Sequence, residues 1–207
     1  MKFDKVFFVR FLFAFFGDAI LALGAALLIK ANLGVDTFTA ENLGSSAHLN
    51  MSLGLWQMLF SIVVGLVIFF LKRDLLGVGS IINILFTGYF IDFFVFVLRG
   101  IEIDIIVWQI ALMLAALLIY SLGISLYSTA GLGAGPYDAL AMLIEHFTQW
   151  KFIHCRILLD SSFLVLGLIL GGPIGIATIL AAFLLGPMIN FYNKTITDPA
   201  LRKLGAK

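Results

Sequence analysis

Leu23-Gly24-Ala25-Ala26-Leu27, followed by Ala31-Asn32-Leu33-Gly34, decides how this chain is read. The stretch returns 99 residues later as Leu122-Gly123-Ile124-Ser125-Leu126 and Ala130-Gly131-Leu132-Gly133. Over 23–40 and 122–139, seven of eighteen positions are identical, and Phe38 aligns with Tyr137. A second block recurs at an offset of 98: Gly77-Val78-Gly79-Ser80-Ile81 aligns with Gly175-Ile176-Ala177-Thr178-Ile179, and Gly88 with Ile91-Asp92-Phe93 aligns with Gly186 and Ile189-Asn190-Phe191. Chance likeness between apolar runs supplies matched Leu and Ile. It does not keep glycines in step through two blocks. The chain therefore reads as one unit used twice, over residues 1–100 and 101–207.

The residues around these blocks belong in a membrane. Of 207 residues, 62% are hydrophobic and 12% charged, with a mean hydropathy of +1.11, whereas a soluble domain carries about 25% charge. A helix needs roughly 20 apolar residues to cross the hydrocarbon core. Apolar runs at 7–30, 53–71, 75–98, 105–129, 153–171 and 174–193 predict six spans and leave no room for a soluble catalytic domain. The basic, Phe-rich start through Gly17 runs on apolar to Lys30 with no small-residue cleavage site, so it reads as a retained first helix. The net charge of +1 gives no case for nucleic acid, and the single Cys155 excludes an intrachain disulfide or a cysteine-cluster metal site.

An odd number of spans per unit inverts the second copy, so the expected fold is all-α transmembrane, 3+3, an inverted-topology repeat. Orientation follows from the basic residues. With both termini in the cytoplasm, Lys2, Lys5, Arg10, Lys72, Arg73, Lys151, Arg156, Lys194, Arg202, Lys203 and Lys207 lie inside, and only Lys30 and Arg99 lie outside. Eleven of thirteen on one side is a strong positive-inside bias.

Four segments carry a family resemblance. Leu28 to Val35, Gly77 to Asn83, Gly131 to Asp138 and Gly171 to Thr178 resemble, in order and spacing, the YczE/YyaS/YitT family of bacterial membrane proteins, with similarity from Arg10 to about Tyr192. The resemblance implies a cytoplasmic-membrane location and five or six spans, and no particular activity. One departure stands out. Val35-Asp36-Thr37-Phe38 replaces the Ser-Pro-Trp-Asp-like run often found in the family, while Gly135-Pro136-Tyr137-Asp138 keeps it better.

The connections at 31–52 and 130–152 are long, and each contains a helical stretch behind a glycine turn. Gly34, Asp36 and Thr37 introduce the stretch from Phe38 to His48. Gly133, Gly135 and Pro136 introduce the one from Tyr137 to Trp150, with Pro136 at a first helical position and Asp138 in its first turn. Two readings stand open: short helices dipping into the protein, their N-terminal N–H groups free for an anionic group, or amphipathic helices flat at the interface, anchored by Trp150.

Inside the spans, charged side chains are scarce and therefore informative. Asp18 follows Ala14 and precedes Ala22 and Ala26 on a small-residue face. It reads either as a proton or cation coupling site or as a neutral acid bonding to a neighbouring helix; its counterpart is Leu117. Asn83 shares a face with Gly79 and Thr87, as interhelical glue or as a ligand. Arg156 and Asp160 stand four apart, either as an ion pair near the interface or as lining of a solute path. No hydrolase, zinc-protease or nucleotide-binding signature occurs in its proper context, and the three histidines lack metal-ligand spacing. The expectation is a carrier for a small polar or ionic solute, working by alternating access as one half rocks against the other, with no cofactor, embedded in lipid, with a homo-oligomer or membrane partner open. A binding subunit that needs an energising partner and an accessory membrane protein are the alternatives.

Overall fold

The computed structural model describes residues 5–206. The fold is all-helical, and among the described residues six helices are long and apolar enough to cross a membrane. Lys2 and Lys207, counted above for orientation, lie outside the described residues.

In chain order the helices are α1 (Lys5–Ala31), α2 (Thr37–His48), α3 (Leu53–Lys72), α4 (Val78–Leu98), α5 (Ile106–Thr129), α6 (Pro136–Thr148), α7 (Phe152–Ile169), α8 (Ile176–Tyr192) and α9 (Asp198–Lys203). A turn of 3-10 helix follows α3, and a π-turn at Asn193–Thr197 joins α8 to α9. Local chemistry sets several of these starts. Asp36 accepts from Thr39 N at 3.1 Å and Ser52 from Leu55 N at 3.2 Å, each capping the helix behind it.

Three boundaries differ from expectation. The third and sixth spans begin at 78 and 176 rather than 75 and 174, because Gly77 and Gly175 stay extended. The last span continues past 193 to Lys203. Thr197, fully buried, bonds Thr129 at 2.8 Å and Ser125 at 2.9 Å, which holds the chain helical beyond the polar Asn193-Lys194 break.

Helices α1 and α5 form the central pair. A Cβ on Gly24 would meet the Tyr120 backbone, and one on Gly123 would meet Leu21, while Gly17 faces Tyr127. Rising numbers on α1 thus meet falling numbers on α5, and the two run antiparallel. Ala14, Ala22, Ala25 and Ala26 are fully buried along the α1 side. In lipid, helix association depends on van der Waals contact of this kind, since no hydrophobic drive separates a Leu side chain from an acyl chain. The outward faces are apolar, with Phe70 80% and Phe183 75% exposed, as a hydrocarbon solvent requires.

Around this pair the helices fall into two groups. Helices α4 and α8 pack on α1 and α5 respectively, while α2 packs chiefly on α7 and α6 on α3 and α7. Each short helix therefore finds a long partner from the other half of the chain. The α3–α4 contact links the groups; there Gly54 and Gly88 touch through backbone, and Asp92 accepts from Gly54 N at 2.9 Å. Asp92 thus ties α4 to the start of α3.

Candidate functional site

Two glycine turns bring the short helices to the middle of the protein. Gly34 and Gly133 adopt φ of +99° and +110°, a region that side chains with a Cβ rarely enter. Both pass against another extended glycine, Gly34 on Gly175 and Gly133 on Gly77, with no room for a Cβ at either contact. The contacts are sealed by backbone hydrogen bonds. Ala177 N donates to Leu33 O at 2.9 Å and Val35 N to Pro173 O at 3.1 Å; Gly79 N donates to Leu132 O at 2.8 Å and Ala134 N to Leu75 O at 3.1 Å. Thr178 and Ser80 hydroxyls each accept from the preceding Gly175 and Gly77 N–H at 3.1 Å.

The N-terminal ends of α2 and α6 consequently meet in the interior. Thr37 Oγ1 lies 3.5 Å from Tyr137 Oη, and both hydroxyls donate to Asp160 Oδ1 on α7, at 3.0 and 2.6 Å. Arg156, one turn earlier on α7, donates to Asp160 Oδ2 at 3.3 Å and to Asp138 Oδ1 on α6. Its guanidinium sits 4.5 Å from the centre of the Tyr137 ring, a cation–π arrangement. Phe38 stacks 4.7 Å from Tyr137, and Phe163 and Phe60 close the aromatic side. Arg156, Asp138 and Asp160 keep 31, 38 and 26% of their side chains accessible, so one flank of the cluster is open.

Asp36 caps α2 beside this cluster and faces Tyr120 of α5; burial pushes its carboxyl above the ordinary carboxylate range, against the pull of Thr39. Glu41 is shifted the same way by burial, with Ser45 donating to it at 2.6 Å and opposing the shift. The cluster holds two carboxyl groups, those of Asp138 and Asp160, on one guanidinium, with the Asp36 carboxyl beside it. The positive ends of two helix dipoles converge on it.

A second polar site lies on α1 and α4. Asp18 is fully buried, and its Oδ1 accepts from Asn83 Nδ2 at 2.7 Å and Thr87 Oγ1 at 2.6 Å. Asn83 also borders Gly135, whose Cβ, if present, would stand 3.0 Å from Asn83 Oδ1.

Of the residues singled out in the sequence, Thr37, Asp138, Arg156 and Asp160 come together around Tyr137, with Asp36 beside them. Asp18 and Asn83 form a separate pair, and Gly34, Gly133, Gly135 and Pro136 supply the turns. Sequence reasoning missed Phe60, Phe163 and Tyr120. Phe60 and Phe163 stand among 21 phenylalanines, so composition gives nothing to single them out. It also missed a hydroxyl and amide cluster of Ser125, Thr129, Asn193 and Thr197, in which Ser125 donates to Asn193 Oδ1 at 2.6 Å. Among the described residues no group of three His, Cys, Asp or Glu is placed to hold a metal ion.

Comparison with known proteins agrees with the membrane fold. The sequence model of a family of unknown function, DUF6198, matches residues 8–194. The chain is 34% identical over 188 residues to the uncharacterised membrane protein YczE of Bacillus subtilis (strain 168), covering 88% of this chain and 85% of that one. It is 28% identical over 196 residues to the uncharacterised protein YyaS of the same organism, covering 94% and 98%. An uncharacterised Haemophilus influenzae protein is 32% identical over 187 residues, covering 87% and 82%. No solved structure matches.

Proposed function

The chain belongs to the DUF6198 family and is a bacterial integral membrane protein, and we propose that it is a transporter of a small polar or charged solute. The observation that carries this reading is the meeting of two short-helix N-termini at a charged, partly open cluster inside the helix bundle. Helix ends aimed at one another within the spans are the arrangement by which secondary transporters hold solutes near the midplane. Irregular backbone at that depth is tolerated where it is buried in protein or lines a cavity.

The two halves, 1–100 and 101–207, are inverted repeats on this reading. The support is that one set of hydrogen bonds occurs twice, at the same 98- and 99-residue offsets as the sequence blocks, and that α1 and α5 run antiparallel. Both termini are assigned to the cytoplasm. Arg10 Nε donates to Ala206 O at 2.8 Å, which sets the start of α1 beside the chain's last described residues, on the side rich in basic residues.

Alternating access then proceeds by movement of α2, α3, α6 and α7 against α1, α4, α5 and α8. Rocking one half against the other, the simpler expectation from sequence, would separate α2 from α7 and α6 from α3. The solute engages Asp138, Asp160 and Arg156, exchanging their mutual ion pairs for pairs with itself, while Thr37 and Tyr137 orient it. No bond in the solute is made or broken, so the protein is a carrier and not an enzyme.

Counterflow in liposomes holding only this protein tests the proposal, with a panel of small amines, amino acids and carboxylates as the probes. Uptake lost in Asp160→Asn is the expected result. Binding of panel members without flux would make the protein a receptor, and absence of both would remove the solute site altogether.

A further inference from the structure

Asp18 combines three properties that its hydrogen bonds alone do not explain. It is fully buried, its Oδ2 has no hydrogen-bond partner among the described residues, and its Oδ1 takes two donors from α4. A charged carboxylate in that place is costly to keep out of water. The groups facing it explain which ion it suits. From α4 come Asn83 and Thr87, neither of which titrates, and from α5 comes Tyr127, whose phenol donates to Gly133 O at 3.2 Å. Two of these neighbours present donors to Asp18. A metal cation needs oxygen lone pairs turned toward it, and the Asn83 oxygen is turned to Gly135 instead.

We propose that Asp18 is a proton-exchange site, and that Asn83 passes its protonation state to the N-terminal end of α6. Its purpose rests on the transport reading; its test does not. A proton from water binds Oδ2 when the α1–α4–α6 seam admits water, and the same O–H bond breaks to return it. Thr87 is built to follow the change. Its single hydroxyl proton has two acceptors, Asp18 Oδ1 at 2.6 Å and Asn83 O at 2.8 Å. Against a carboxylate it donates to Asp18, and against a neutral acid it turns to the Asn83 carbonyl. Asn83, released or gripped by Asp18, bears directly on Gly135, two residues before Tyr137 and three before Asp138. The charge state of Asp18 is thereby transmitted to the helix end that holds the solute cluster.

Infrared spectroscopy on the full chain in lipid, titrated from acid to alkaline pH, reads this without any solute. The expected result is the C=O stretch of a weakly hydrogen-bonded carboxylic acid, lost on alkalinisation and absent from Asp18→Asn. In Thr87→Val the band should persist at a shifted frequency, which separates loss of the group from loss of the fold. Absence of an Asp18 band, or a band that does not titrate, would overturn the proposal. The link to α6 has its own readout in Cys155, the chain's lone thiol, fully buried at the start of α7, which packs against α6. Its modification by maleimide should have a pH-dependent step in the wild type that Asp18→Asn lacks; coincident profiles would overturn the coupling. Flux failing while the infrared band titrates would remove the transport reading and leave the proton site standing.

Discussion

Gly123→Ala is the sharpest perturbation of the central helix pair. An Ala Cβ there would stand 2.6 Å from Leu21 Cα and 2.8 Å from the Ile20 carbonyl carbon. Carbon atoms rest at about 3.5–4.0 Å, so α1 and α5 must part by about 1 Å along the crossing. Backbone cannot swing aside as a side-chain tip can. Forcing one methyl group into a packed interior costs about 1–3 kcal/mol. The comparison is Gly65→Ala on α3, whose added methyl meets only the flexible end of Ile84 at 3.0 Å. Both variants gain the same helix preference of Ala over Gly, so that gain cancels. At about 2–4 °C per kcal/mol for a chain of this size, Gly123→Ala should melt on the order of 5 °C below Gly65→Ala in detergent. Gly24→Ala should do the same, because its Cβ would stand 2.5 Å from Tyr120 Cα. The double variant should cost less than the sum, since helices already parted by one methyl receive the second more easily. Equal melting of Gly123→Ala and Gly65→Ala would refute the close antiparallel crossing.

Gly133→Ala should prevent stable folding, since it adds left-handed strain to a collision with Gly77, whereas Gly171→Ala, with φ +68° and none of the described residues within 4 Å of its added methyl, should cost only about 1–2 kcal/mol of strain; yield and melting temperature of the two distinguish these costs. Arg156→Lys keeps the charge but cannot span Asp138 and Asp160 together, and at a partly exposed site it should lose about 1 kcal/mol and bind solute several-fold more weakly, which calorimetry with a panel member from the flux assay reads. Impermeant maleimide applied to intact cells should label Gly100→Cys and leave Gln149→Cys unlabelled until the membrane is opened; the reverse pattern would invert the assigned orientation.

The helices were legible because hydrocarbon imposes a length and a polarity that apolar runs record directly. The short helices were legible from their glycine turns and from Pro136, which fits a first helical position. Their partners were not. Adjacency in the chain suggests that α2 would settle on its own half, and neither the Phe38 nor the Tyr137 segment carries a mark for α7 or α3. The i,i+4 pair Arg156–Asp160 is a local pattern and is visible in the sequence. That Thr37, from more than a hundred residues away, would share Asp160 with Tyr137 depends on both turns closing against Gly175 and Gly77. Asp18 announced its buried face through the alanines around it. Its pairing with Asn83 and Thr87 required the crossing of α1 and α4, which hydropathy does not encode. The overrun of the last helix beyond Asn193 has the same origin, in a threonine held by groups from α5.

The interchange of short helices also sets an order of assembly. When α2 leaves the ribosome, its main partner is still unmade, because α7 begins only at Phe152. The first three spans must therefore wait beside the translocon with one polar helix unhoused, and contacts so distant in sequence form slowly. Genes cut in the 99–105 linker should yield two fragments that are degraded apart and stable together.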